Sequence, residues 1–160
     1  MKSNERKPSM TPKPSRVLRR LGLIIAMCLS SGATAAEVAH PAKLSAADLT
    51  GSGFNHPDTL ITETDGGPVL DLTSLKSSDG KFASGMYQAG PQRFEITEPY
   101  GVDEFMYFLE GGVTLTSSDG TVTEINAGDA VTLPKEFTGI WETSGYRKIW
   151  VIYSETGEGL

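Results

Sequence analysis

The residue best suited to a catalytic or ligand-binding role in this sequence is Glu104, which lies in the stretch DEFMYFLEGG, Asp103 to Gly112. Alternate side chains share one face of a β-strand, so Glu104 is expected to lie beside Met106 and Phe108. A carboxyl group in apolar surroundings can act as a general acid or base, or can bind an amine or guanidinium group of a ligand. The spacing therefore predicts a ligand-binding or catalytic role for Glu104.

A structural role for Glu104 is the alternative. A buried carboxylate is usually paired, and the sequence offers Arg93, Lys148 or a tyrosine hydroxyl as partners. The sequence leaves the choice between these two roles open. If Glu104 lines a pocket, we expect Tyr87, Tyr100 and Trp141 to contribute to its wall, with Met106 beside the carboxylate and Tyr100 at the mouth.

Nucleophilic catalysis by a serine–histidine triad has little support. The chain contains two histidines, His40 and His56, and both lie in the poorly patterned stretch before the strands. A triad needs a histidine that the fold holds next to the nucleophile. The catalytic residues thus stay unknown, with Glu104 as the candidate.

The elements that would position these residues are β-strands. From about Asn55 onward, short apolar runs alternate with turn signals roughly every 8–12 residues, a spacing typical of a sandwich or barrel. Gly111-Gly112 predicts a sharp strand reversal, and Asp119-Gly120 predicts a tight hairpin. The runs that read as strands are GPVLDL, KFASGMY, QRFEIT, DEFMYFLE, VTLTS, TVTEI, AVTL and RKIWVIY.

Four sequence blocks resemble the cupins, which are small jelly-roll barrels. The blocks are SGMYQAGPQRFEI, DEFMYFLEGGVTLTSSDG, NAGDAVTLPKEFTGIWET and YRKIWVI, and they run from about Gly85 to Tyr153. They are most similar to the ureidoglycine aminohydrolase-like subfamily, which has a DEF-x-Y-x-LEG strand and an AGD-x-V-x-x-P turn. The resemblance implies an all-β, cupin-type jelly-roll β-barrel with a short N-terminal extension.

The same resemblance bears on metal binding. Metal-binding cupins carry two histidines shortly before the glutamate, at positions that fall here on Glu98 and Tyr100, or on Thr97 and Pro99. A third histidine would fall near Gly139. Glu104, Glu98 and Tyr100 could offer oxygen ligands to a hard cation, but this is a thin shell. We therefore predict no bound metal and no cofactor, and count Glu98 among the ligand-binding candidates.

The N-terminal 35 residues have the order of a secretory signal peptide. A basic segment ending in RVLRR precedes the apolar run Leu21 to Leu29, and small residues follow. Ala33-Thr34-Ala35 fits a cleavage site, which predicts a periplasmic or secreted protein without a stable membrane anchor after processing. We divide the chain into a signal peptide (1–35), a tether or short helix (36–54) and a cupin domain (55–160).

Charge restricts the partners. Residues 1–35 hold seven of the 14 basic and one of the 20 acidic residues, so residues 36–160 have seven basic and 19 acidic residues, a net charge of −12. Such a chain repels phosphate backbones, which argues against nucleic acid as a partner. Strands that are apolar on both faces, DEFMYFLE and RKIWVIY, need cover outside the barrel and predict a homodimer.

Three functions remain compatible with these observations. The first is an exported cupin that binds a small polar molecule around Glu104 without a transition metal. The second is a cupin enzyme of the aminohydrolase or isomerase type that uses Glu104 as acid or base. The third is a protein-interaction or sensor module. The fold alone does not decide among them, because one fold hosts many chemistries.

Overall fold

The computed structural model describes residues 38–160, which form a jelly-roll β-barrel of eight antiparallel strands. The predicted signal peptide, residues 1–35, lies outside the described residues. The strands are β1 (Leu60–Thr62), β2 (Val69–Lys76), β3 (Phe82–Ala89), β4 (Gln92–Ile96), β5 (Asp103–Ser117), β6 (Val122–Asn126), β7 (Ala130–Leu133) and β8 (Gly139–Tyr153). They pair in the order β1-β2-β3-β8-β5-β6, with β4 on β8 and β7 on β5. Within the described part of the chain, no helix is long and apolar enough to cross a bilayer.

The two longest strands, β5 and β8, form the spine of the barrel because each has several partners. The first half of β5 pairs with β7, its second half pairs with β6, and β8 pairs with it along most of its length. In the same way, the first half of β8 pairs with β4 and its second half with β3. Side chains on the inner faces of both strands therefore meet in one core.

The predicted strand reversal at Gly111-Gly112 is wrong. The chain runs through both glycines as part of β5, and the pairing with β8 shifts register on either side of them. Gly111 has a φ of 66°, and a Cβ at this position would overlap the carbonyl oxygen of Gly145 on β8. The glycines thus bend one long strand around the barrel instead of ending it. The predicted hairpin at Asp119-Gly120 is present, a second turn between β6 and β7 contains Gly128, and Pro134 follows the end of β7.

The segment before the strands is not a free tether from Ala46 onward. A short helix, α1 (Ala46–Leu49), begins at Ser45 with a capping box, and a turn of 3₁₀ helix spans Ser52–Asn55. Gly53 is buried against Met86 of β3, since a Cβ at Gly53 would lie 2.8 Å from the Met86 sulfur. The segment therefore covers part of the outer face of the sheet.

Candidate functional site

The site is built around Glu104, which points into the barrel as the strand alternation predicts. Inner-face positions Glu104, Met106 and Phe108 are buried, whereas Phe105 and Tyr107 on the other face are exposed. Glu104 is 2% exposed and sits between Leu133 of β7 and Ile152 of β8 in the sheet register. Neighbouring strands hold the backbone of Glu104 on both sides, so its carboxylate has a fixed position.

Lys148 is the partner of the carboxylate. Its Nζ lies 2.6 Å from Oε1 of Glu104, and the lysine is only 4% exposed. Burial lowers the pKa of Lys148, and the adjacent Glu104 carboxylate offsets only part of this effect. The site therefore contains an ion pair that is shielded from solvent and whose ammonium form is disfavoured by its surroundings.

Tyr100 completes the contacts of the carboxylate. Its hydroxyl donates a hydrogen bond of 2.5 Å to Oε2 of Glu104. The loop that carries Tyr100 is held by its backbone N–H, which donates to the carbonyl of Phe137. Burial and the Glu104 charge raise the pKa of Tyr100 well above its usual value, so it keeps its proton and remains a donor.

Aromatic rings surround the Lys148 ammonium. Its Nζ lies 5.4 Å from the ring centroids of both Tyr87 and Trp141, and 5.9 Å from that of Tyr146. These distances are within the range of cation–π attraction. Phe94 of β4 stacks on Trp141 with ring centroids 6.0 Å apart and extends the aromatic wall outward. The surroundings of the ion pair are thus mainly aromatic.

A second acidic residue, Asp71, lies across Tyr87 from Lys148 in the sheet. Register places Asp71 of β2, Tyr87 of β3 and Lys148 of β8 in one row across the sheet. One oxygen of Asp71 accepts a hydrogen bond of 3.1 Å from the indole nitrogen of Trp150. Burial raises the pKa of Asp71, although the Trp150 hydrogen bond lowers it in part. With Glu104 and Lys148, the site holds two acids and one base.

These residues line one cavity of about 270 Å³ that opens to solvent. Gly159 and Leu160, near the C-terminal end of the described residues, also line the cavity. The lining residues are Asp71, Thr73, Tyr87, Gln92, Phe94, Tyr100, Glu104, Trp141, Tyr146, Lys148, Trp150, Ile152, Gly159 and Leu160. A volume of this size suits a small metabolite rather than a polymer segment.

Four of the six predicted binding residues line this cavity: Tyr87, Tyr100, Glu104 and Trp141. The other two lie elsewhere. Met106 is fully buried in the core behind the ion pair, and its sulfur is 3.0 Å from Lys148 Nζ. Glu98 is exposed on the loop between β4 and β5 and does not reach the cavity. Tyr100, two residues after Glu98, does line the cavity, and its backbone N–H donates a hydrogen bond to the carbonyl of Phe137.

Two charged residues of the site were not among the predicted binding residues. Lys148 was considered only as a structural partner, yet it shares a strand face with Trp150 and Ile152, and a lysine among such neighbours is a signal of a buried charge. Asp71 shares a face with Val69 and Thr73 on β2, where the alternation gives a similar signal. Neither signal shows that the two residues line the same cavity as Glu104.

The residues present do not fit the metal centre of metal-binding cupins. Lys148 Nζ is 2.6 Å from Glu104, so a positive charge already neutralises the carboxylate and would repel a cation beside it. Glu98, at a ligand position of that family, is exposed and away from the cavity. Between residues 38 and 160, no three His, Cys, Asp or Glu side chains lie close enough together to hold a metal ion.

Part of the chain matches one protein family. Residues 76–149, which are 74 of the 160 residues, match the family model of the EutQ-like cupin domain. This match agrees with the cupin-type jelly-roll barrel that the described residues form. No curated protein matches the sequence.

Solved structures agree with this fold. A protein of unknown function from Rhizobium leguminosarum bv. viciae is 22% identical with a TM-score of 0.51, over 73% of this chain and 100% of that one. A protein of unknown function from Pseudomonas syringae pv. tomato is 19% identical with a TM-score of 0.51, over 58% of this chain and 44% of that one. Ectoine synthase from P. lautus is 19% identical with a TM-score of 0.50, over 62% of this chain and 72% of that one. At these identities the likeness shows the fold alone.

Proposed function

We propose that this protein binds a small polar molecule in the cavity around Glu104, without a transition metal. The observation that carries the proposal is the buried Glu104–Lys148 pair with Tyr100 in the wall of an open cavity of about 270 Å³. A buried ion pair contributes little to stability compared with apolar residues of the same volume. Its place at a cavity wall is better explained by ligand recognition than by folding.

The cavity combines shape with a few polar groups, as small-molecule sites do. Aromatic rings supply apolar contact area, while Asp71, Glu104 and Lys148 offer charges of both signs. Trp141 also lines the cavity, and its buried indole N–H has no acceptor among the described residues.

A ligand screen with matched variants tests the proposal. Thermal shift over a panel of small polar metabolites, followed by calorimetric titration, identifies a ligand for the wild-type protein. Glu104→Gln is expected to weaken binding at least about tenfold, because it removes the charge from the cavity wall. Glu98→Gln makes the same chemical change on the exposed loop and should leave binding unchanged. Equal affinities of the two variants for that ligand would contradict the proposal.

An enzyme of the aminohydrolase or isomerase type is the second candidate, as the likeness to ureidoglycine aminohydrolase-like cupins implies. The observation that favours it is the position of Glu104 between two proton-bearing groups, the Tyr100 hydroxyl and the Lys148 ammonium. A carboxylate so placed can accept and return a proton. NMR of a bound ligand over time tests this candidate. Turnover in the wild type that is lost in Glu104→Gln at saturating ligand would support it.

We also propose a homodimer formed through the outer face of β5 and β8. Phe105, Tyr107 and Tyr153 are 44%, 38% and 50% exposed, and Val151 stands beside Phe105 in the register. A second copy would cover this apolar surface by the same patch, as a two-fold interface requires. The double variant Phe105→Ser, Tyr107→Ser should be monomeric in light scattering. A wild-type monomer at tens of micromolar would refute the interface.

Export to the periplasm or exterior remains part of the proposal and rests on the N-terminal sequence. Its test is independent of the cavity. Mass spectrometry of the protein from the extracytoplasmic fraction should show a chain that begins at Ala36. An intact N-terminus on a cytoplasmic protein would remove the claim.

A further inference from the structure

The amine of Lys148 combines burial with access to a cavity. Its Nζ contacts Oε1 of Glu104 at 2.6 Å and the sulfur of Met106 at 3.0 Å, and the residue also lines the cavity. The other four lysines of the described chain do not line this cavity and lie on loops or at strand ends: Lys43, Lys76, Lys81 and Lys135. Lys148 is therefore the lysine that a bound ligand would meet.

The surroundings of Lys148 favour a neutral amine more than water does. Burial disfavours the ammonium form and lowers the pKa of the group, while the nearby carboxylates of Glu104 and Asp71 offset this only in part. Glu104 is close enough to accept the proton that the ammonium would lose. A desolvated lysine next to a proton acceptor is the usual arrangement for an amine nucleophile.

We propose that Lys148 is a nucleophile that forms an imine with an aldehyde or ketone group of the ligand held in this cavity. The inference rests on the proposed ligand-binding function and deepens it, because it names the chemical class of the ligand as a small carbonyl compound. The cavity walls also suit such a compound, since the aromatic rings can pack against its carbon skeleton.

The reaction balances with groups already present. Glu104 takes one proton from the Lys148 ammonium, and the freed electron pair of Nζ forms a bond to the carbonyl carbon. After this attack the nitrogen carries two hydrogens and a positive charge, and it passes one proton to the former carbonyl oxygen, which gives a neutral carbinolamine. Glu104 then returns the proton it took from the ammonium to the hydroxyl, which leaves as water, and the nitrogen electron pair completes the C=N bond of the protonated imine. One ammonium and one carbonyl give one iminium and one water, with no change in oxidation state.

Tyr100 has a positioning role in this scheme. Its hydroxyl donates to Oε2 of Glu104 and so leaves Oε1 turned toward Lys148. Without this hydrogen bond the carboxylate could rotate away from the amine. Tyr100→Phe should therefore slow imine formation while the protein still folds, because the ring keeps its packing.

Reductive trapping on the wild-type protein tests the proposal. The full chain is incubated with acetaldehyde and cyanoborohydride near pH 7, and peptide mapping by mass spectrometry locates each added ethyl group. Exposed Lys43 and Lys135 serve as internal references in the same sample. Lys148 is expected to be labelled at least about tenfold faster than either, because Glu104 beside it can accept the proton that its amine must lose before attack. Labelling of Lys148 that is absent or no faster than the references would overturn the proposal.

Two variants separate this inference from the function on which it rests. Glu104→Gln should slow labelling of Lys148 and leave Lys43 unchanged, whereas Glu98→Gln should alter neither. If panel ligands bind in the cavity and Lys148 is not trapped, the carbonyl inference fails and the binding function stands. If no ligand of the panel binds and Lys148 is not trapped, both fail.

Discussion

Removal of the Glu104 charge should destabilise the protein through Lys148. Glu104 and Lys148 are 2% and 4% exposed, so solvent does not screen their interaction. Breaking a buried pair by removing one partner costs about 3–5 kcal/mol, because the other charge remains buried alone. The Gln amide oxygen still accepts one hydrogen bond from the ammonium. We therefore expect Glu104→Gln to lose about 3 kcal/mol, the lower end of this range.

Urea unfolding followed by circular dichroism measures this loss, and the melting temperature should fall by roughly 10 °C. Glu98→Gln is the control for the chemical change at an exposed site and should be within about 0.5 kcal/mol of wild type. Glu104→Gln combined with Lys148→Met removes both charges and should recover most of the stability. A Glu104→Gln protein as stable as the Glu98→Gln control would refute the description of a buried ion pair. A less stable Glu104→Gln protein with unchanged ligand affinity would refute the binding role instead.

Three further outcomes are expected. Burial raises the pKa of Asp71 above its ordinary value of 3.8, so the folded state keeps this proton at a pH where the unfolded chain has lost it. The free energy of unfolding should therefore fall as the pH rises above 3.8. Asp71→Asn should flatten this part of a plot of stability against pH. Tyr100→Phe should cost about 1–2 kcal/mol in thermal or urea unfolding, because one Glu104 oxygen loses its donor. Gly111→Ala should cost at least about 2 kcal/mol more than Gly120→Ala: both glycines have positive φ, but only Gly111 faces a backbone oxygen of β8. Equal losses for the two glycine variants would show that the close approach at Gly111 does not matter.

Much of the barrel follows from local sequence. Period-two alternation and turn residues act over a few neighbours, so the strands and the hairpin at Asp119-Gly120 could be predicted without knowledge of distant contacts. The inward direction of Glu104 is of the same kind, because it depends only on alternation with Met106 and Phe108. The bend at Gly111 was missed since a glycine pair permits either a reversal or a continued strand. Pairing with β8 along both halves of β5 decides between them.

The composition of the site depends on tertiary structure. Glu104 and Lys148 are 44 residues apart, and their contact exists because β5 and β8 pair in one particular register. A shift of one residue would turn the lysine to the outer face. Asp71 joins the site only because β2 and β3 extend the same sheet. Alternation along one strand therefore determines that a carboxylate faces inward, whereas the register between distant strands determines that it meets an amine at a cavity.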